Sequence, residues 1–308
     1  MQVLLLGASG QLGGELRTAL TPFADVTAPD RSELDCARVG DVDAFVRALA
    51  PDCVVNAAAY TNVNDAERDR EQAERLNATL PACLASSCDR IGASLVHFSS
   101  DYVFSGDSVR PYREDDATGP VNWYGETKLA GERAILAATD RASILRTGWI
   151  YGLTGHNFFR TMLRLAQERT EIRVVDDQCG APTWSRQVAL AAASMVVQLG
   201  CDVDAWRRVN GICHISAGGE TSWHRFASRL LSLDPARAYH VVQRITAIRS
   251  VDGPAAARRP AYSVLDCGRL ADRFGIRLPS WEHQLELVWE SYAGHRDGER
   301  SASGLQIE

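Results

Sequence analysis

The chain has 308 residues, 45% of them hydrophobic and 23% charged, enough apolar material for a sizeable core, which excludes disordered, collagen-like and fibrous classes. Its 39 acidic and 33 basic residues leave a net charge of -6, a field that repels a phosphate backbone or an anionic bilayer, so neither nucleic acid nor membrane is expected as a partner. Every basic residue is arginine except Lys128.

Short runs rich in Val, Leu and Ile alternate with longer amphipathic stretches, the pattern of βαβ units on a parallel sheet. Strands are predicted at QVLLL from Gln2, ADVTA from Ala24, DCVVN from Asp52, SLVHF from Ser94 and ASILR from Ala142, with helices starting near Gly10, Asp41, Asp69 and Trp123. Residues 1–147 therefore read as a Rossmann-like, doubly wound α/β domain, an architecture that takes its ligands at the C-terminal strand ends. Beyond Thr147 the spacing predicts helices over 157–169, 185–199, 222–233 and 281–292, with strands at ICHIS and YHVVQRI. Residues 148–294 are read mainly as a smaller substrate-binding lobe, with some segments returning to the first domain, and 295–308 as a frayed polar tail. No apolar run approaches the ~20 residues that span a bilayer. The eight cysteines have no CxxC pair and no His/Cys spacing, so no metal site is indicated; with no leader pattern before the first strand, a reducing cytoplasm is expected.

The first strand runs into GASGQLGGEL, placing Gly7, Gly10 and Gly13 at the turn and opening of a helix. Glycines there let the backbone turn sharply and approach a pyrophosphate, whose charge suits the free N–H groups of a helix N-terminus. After the second strand stand Asp30, Arg31 and Asp35; a carboxylate there suits ribose hydroxyls and an arginine a 2′-phosphate, so both NADPH and NADH remain open. The third strand ends in Ala57, Ala58 and Ala59, small enough to admit a flat ligand close to backbone.

Tyr124 and Lys128 stand four apart in NWYGETKLAGE, on one face of a predicted helix. A free tyrosine, with a pKa near ~10, holds its proton too firmly for general acid work, and a neighbouring ammonium favours the phenolate and frees the proton. A compact, tunable amine fits that task and a guanidinium fork does not, which gives the sole lysine a reason. The fourth strand ends in Ser99, Ser100 and Asp101, where a serine hydroxyl can steady a forming oxyanion; spacing does not separate Ser99 from Ser100.

GASGQLG, VVNAAAYTNVNDAE, FSSDYVFSG, NWYGETKLAGE, LRTGWIYG, HNFFRTMLRLA, DDQCGAPTW and SWHRFA, in that order, resemble the dTDP-4-dehydrorhamnose reductase branch of the extended short-chain dehydrogenase/reductases. The resemblance implies that Ser100, Tyr124 and Lys128 are catalytic. It puts Gly7, Gly10, Gln11, Leu12, Arg31, Leu34, Asp35, Ala57, Ala58, Ala59 and Thr61, with Tyr124 and Lys128, on the dinucleotide. Ser100, Asp101, Tyr102, Val103, Phe104, Trp149, Asn157 and Arg259 fall on the nucleotide-sugar side. The implied reaction is reduction of the 4-keto group of a dTDP-linked 6-deoxyhexose by NADPH, with NADH possible, in which Tyr124 protonates the oxygen, Lys128 binds ribose and lowers the tyrosine pKa, and Ser100 orients the carbonyl. Reduction of another dTDP-4-keto deoxysugar, of the dihydrostreptose type made for antibiotics, and a non-catalytic regulatory subunit are the alternatives. The chain departs from the family in having Ser100 where threonine is common. Asp101 is followed by Tyr102 instead of the glutamate of dehydratases. Arg186 stands where an acid that holds a dimer-bridging magnesium would be, so a monomer or weak homodimer without metal is expected.

Overall fold

The computed structural model describes residues 1–252 and 257–303, with side chains described as far as residue 292. Its principal strands are β1 (Gln2–Leu6), β2 (Asp25–Thr27), β3 (Cys53–Asn56), β4 (Ser94–Ser100), β5 (Ala142–Thr147), β6 (Glu171–Val175), β7 (Gly211–His214) and β8 (Arg244–Ile248). The helices used below are α1 (Gln11–Leu20), α2 (Val39–Leu49), α3 (Leu80–Ile91), α4 (Trp123–Ala138), α5 (Phe158–Glu168), α6 (Ser185–Leu199), α7 (Trp223–Leu233) and α8 (Trp281–Ser303).

Six strands form one parallel sheet in the order β7-β5-β4-β3-β1-β2. Both faces are covered, so its strands read as unbroken apolar runs, and the two-residue alternation of side chains divides them between two cores. Val3 and Leu5 join Leu16 and Leu20 of α1 and Val188, Met195 and Val196 of α6. Leu4 and Leu6 join Val42 and Val46 of α2, Leu84 of α3 and Ile135 of α4. The chain passes from β1 to β2 on one side and then crosses back to put β3 on the other side of β1. That reversal opens a crevice at the C-terminal ends of β1 and β3, where such sheets bind ligands.

A third core gathers Tyr151, Phe159, Trp184, Phe226, Trp281 and Leu285 between α5, α7 and α8. It is flanked by the parallel pair β6 and β8. The strand expected at YHVVQRI starts later, at Arg244, because the N–H groups of Val241 and Val242 are drawn to the Ala166 carbonyl at the end of α5 (2.9 and 3.1 Å). The helix expected from Asp69 is interrupted by a π-turn over Arg75–Thr79. Pro81 has no N–H to return to the Asn77 carbonyl, so the ladder slips at that position. The helix α8 continues to Ser303; the last residues of the expected tail, 304–308, lie outside the described ones.

Candidate active site

The glycine loop is shaped by its own backbone before any ligand is considered. Gly7 sits at φ 80°, and a Cβ there would lie 2.6 Å from the Ala58 nitrogen, while one on Gly13 would lie 2.0 Å from the Gly7 carbonyl oxygen. These two glycines seat the turn against the end of β3 and the helix against the turn. Gly10 differs: its Cβ would meet only the Gly7 oxygen, at 3.2 Å, so its bareness faces outward. Gly10 is also the N-cap of α1, without a side-chain cap and with no acidic residue in the first turn, which leaves the helix N–H groups free for an anion.

Around this loop lie the other expected dinucleotide positions. Gln11 and Leu12 open α1, Leu34 is buried, and residues 57–59 are half-buried beside Gly7, with Thr61 exposed beyond them. Asp30 is occupied by its own loop, accepting from Ser32 N and Oγ at 2.7 and 2.6 Å, and the Ser32 hydroxyl holds its carboxyl below the usual range. Arg31 is 81% exposed and only loosely paired with Asp35, at 3.8 Å.

At the end of β4 the two serines part. Ser99 donates to the buried Glu132 carboxylate, which Arg146 grips bidentately at 2.8 and 2.6 Å, a structural cluster behind the sheet. The Ser100 hydroxyl accepts from Tyr102 N (3.1 Å), donates to Asp101 Oδ1 (3.0 Å) and lies near enough to the Tyr124 phenol to favour its ionised form. The Asn122 side chain caps α4 by accepting from Gly125 N at 2.8 Å, which fixes the first turn that carries Tyr124. One turn on, Lys128 is 2% exposed and its Nζ donates to the Phe98 carbonyl at 2.6 Å, with His97 Nε2 3.5 Å away.

The electrostatics differ from the expectation in one respect. Loss of solvent pushes the Tyr124 phenol above its ordinary value, the nearby Ser100 hydroxyl opposing this only in part, so Lys128 does not by itself bring the phenol down. Burial brings the Lys128 ammonium down to about 8, with Glu132 pulling the other way. Desolvation also raises the carboxyl of Asp101, which is 2% exposed, to about 6.

On the expected sugar side, Tyr102 lies edge-on to Tyr124 (centroids 5.7 Å apart), with the Arg259 charge acting on its phenol, and the Arg259 Nε is buried without a partner among the described residues. Val103 and Phe104 do not line a cleft. They are fully buried, Phe104 stacked 4.2 Å from Tyr112, and serve as core. Asn157 is also committed elsewhere: it caps α5 through Arg160 N, and its Nδ2 reaches Gln11 Oε1 at 2.6 Å and the Gly152 oxygen at 2.9 Å, tying the lobe to the glycine loop. Trp149 adopts φ 51°, rests on Gly180, where a Cβ would come within 2.3 Å of the ring, and stacks on Trp223 at 3.6 Å. Sequence reasoning missed Trp223, which lay inside the quoted SWHRFA, and Gly148, where a Cβ would lie 2.5 Å from the Asp101 carboxyl. It also missed Asn56 and His97, hidden within strands by apolar neighbours. Glu15 is paired with Arg186 at 3.0 Å, so its charge is already balanced by a cation of the chain.

Residues 1–293 match the family model described as RmlD substrate binding domain. A dTDP-4-dehydrorhamnose reductase of Burkholderia thailandensis is 41% identical over 290 residues, covering 93% of this chain and 97% of that one. A dTDP-4-dehydrorhamnose reductase of Bacillus anthracis, solved in complex with NADP, superimposes with a TM-score of 0.85 at 35% identity over 94% of this chain and 99% of that one. One from Clostridium acetobutylicum does so with a TM-score of 0.85 at 32% identity, over 95% and 100%.

Proposed function

The chain belongs to the dTDP-4-dehydrorhamnose reductase branch of the extended short-chain dehydrogenase/reductases, NAD(P)H-dependent oxidoreductases, and on that premise we propose that it reduces the 4-keto group of a dTDP-linked 6-deoxyhexose with NADPH, Tyr124 giving the proton. The observation that carries this is Ser100 set beside the Tyr124 phenol at the end of β4, with the buried Lys128 one turn on, near a glycine-lined helix N-terminus.

The residues suit a dinucleotide: Gly10 leaves the approach to α1 clear, its N–H groups are uncapped, and Arg31 is free to meet a 2′-phosphate. When bound, the reduced nicotinamide supplies the hydride. Ser100 turns its one proton from Asp101 to the carbonyl oxygen and orients it. Tyr124, neutral because burial holds its proton on, delivers that proton to the oxygen as negative charge builds there. The Lys128 ammonium then stabilises the phenolate left behind and has donors to spare for ribose hydroxyls. The net change is ketone, hydride and proton to secondary alcohol. On the sugar side, the unpartnered Nε of Arg259 seeks an acceptor that a diphosphate oxygen provides, and the Trp149 and Trp223 stack walls the cleft.

Purified protein given NADPH and dTDP-4-keto-6-deoxyhexoses should consume the cofactor, followed by absorbance, and yield a 4-hydroxy sugar by NMR. Absence of oxidation with every such sugar overturns the proposal.

A further inference from the structure

Beneath the proposed reaction centre a buried polar chain leads to Lys128, and two of its members, Asn56 and His97, have no part in the steps above. Asn56 ends β3 and stands in register with His97 on β4. The Asn56 Oδ1 accepts from Ala58 N at 3.1 Å, and its Nδ2 lies 3.1 Å from His97 Nδ1. The other ring nitrogen, Nε2, is 3.5 Å from Lys128 Nζ. The side chains of Asn56, His97 and Lys128 have 0%, 1% and 2% of their residue surface exposed, so water does not compete for these contacts.

The directions of these bonds follow from the donors available. Since the Asn56 oxygen is taken by the Ala58 N–H, its nitrogen faces the ring with protons only, and Nδ1 must accept. Burial and the nearby lysine keep the imidazole well below its ordinary pKa and therefore neutral, so its single proton sits on Nε2. We infer that Asn56 and His97 form a positioning pair for Lys128, in which Asn56 fixes the imidazole as the Nε2–H tautomer and that N–H is aimed at the lysine amine. An N–H so aimed welcomes the lone pair of the neutral amine and opposes the ammonium. The remaining charged group acting on the amine is Glu132 on α4, held in turn by Arg146 of β5, while Tyr124 stands one turn earlier on the same helix. The backbone of residues 57–59, at the expected dinucleotide edge, is thereby linked through Asn56 and His97 to the lysine.

This inference rests on Lys128 serving the proposed reduction, and the sole lysine makes the two separable. In full-length protein labelled with ¹³C-lysine, Lys128 gives the only lysine side-chain resonance, and ¹⁵N-histidine spectra report ring tautomers. His97 should be the Nε2–H tautomer at neutral pH, and Lys128 should titrate near pH 8. Removing the donor with His97→Leu should raise the Lys128 midpoint by roughly half to one pH unit and carry the alkaline limb of kcat/KM with it. His97→Gln, which again offers an N–H, should return both toward the original values. An Nδ1–H tautomer, or a Lys128 midpoint unmoved by His97→Leu, overturns the inference; should that variant not fold, the tautomer of the unaltered protein decides. Full activity in Lys128→Met would instead remove the functional reading while leaving the tautomer measurement standing.

Discussion

Asp101 is closed in by Ser100, Ser263 and the bare Cα of Gly148, and one of its carboxylate oxygens has no partner among the described residues. Its pKa is raised from 3.8 to about 6, so the folded state prefers the protonated acid. The corresponding stability is fully present below about pH 4 and is lost as pH rises through 6, a loss on the order of 2 to 3 kcal/mol at neutral pH. Asp101→Asn should therefore stabilise the protein by about 1 to 3 kcal/mol at pH 8 and hardly at all at pH 4, as urea unfolding at the two values will show. Tyr124→Phe should leave stability near normal but lower kcat by about 10²-fold or more, the usual worth of a positioned acid. Lys128→Arg keeps the charge in a chain full of arginines, yet a planar guanidinium does not fit a site 2% exposed with a carbonyl 2.6 Å from Nζ, so kcat should fall about as far. The spacing of Tyr124 and Lys128 was legible in the sequence because helical geometry is local. Their protonation was not, because desolvation comes from β4 and β5, remote in sequence.

At the scale of elements, two glycines of the loop, Gly13 and Gly10, make distinguishable predictions. Ala at position 13 would drive a Cβ into the Gly7 carbonyl at 2.0 Å, backbone against backbone, so Gly13→Ala should cost about 2 kcal/mol or more and lower the melting temperature. Gly10→Ala meets nothing closer than 3.2 Å and has an extended backbone that alanine adopts freely. It should melt within about 1 kcal/mol of the original yet bind NADPH at least tenfold more weakly in a fluorescence titration, because only the ligand contests that space. The converse pattern would show that Gly10 is structural. The parallel strands and their helices were readable from periodicity, since a buried strand and an amphipathic helix advertise themselves within ten residues. The π-turn has its own local sign in Pro81, whereas what escaped depends on partners brought from elsewhere: the late start of β8 beyond the Ala166 tether, and the turning of Val103 and Phe104 toward Tyr112.

For the molecule as a whole, the question is whether residues 1–147 constitute a folding unit, as their pattern of strands and helices suggests. The sheet they build is unfinished. Its β5 edge is covered by β7, and the face carrying Val3, Leu5, Leu16 and Leu20 is packed by Val188, Ala192, Met195 and Val196 of α6, all from the second half of the chain. Ending the chain at Thr147 would bare that apolar face and leave an unpaired strand edge, which invites association with other copies. It would also uncover Arg146, 1% exposed beside His214, and its ion pair with Glu132. A purified 1–147 fragment should accordingly bind a hydrophobic dye, form oligomers by light scattering and show no sharp unfolding transition, whereas the full chain should unfold cooperatively. A fragment that stays monomeric, melts sharply and binds NADPH would show that the first half carries its own core. The net charge of -6 works on the same scale: with no general attraction for anions, the proposed binding of a dinucleotide and a diphosphate sugar calls on local donors from both halves, the α1 N-terminus from the first and Arg259 from the second, which a 1–147 fragment would separate.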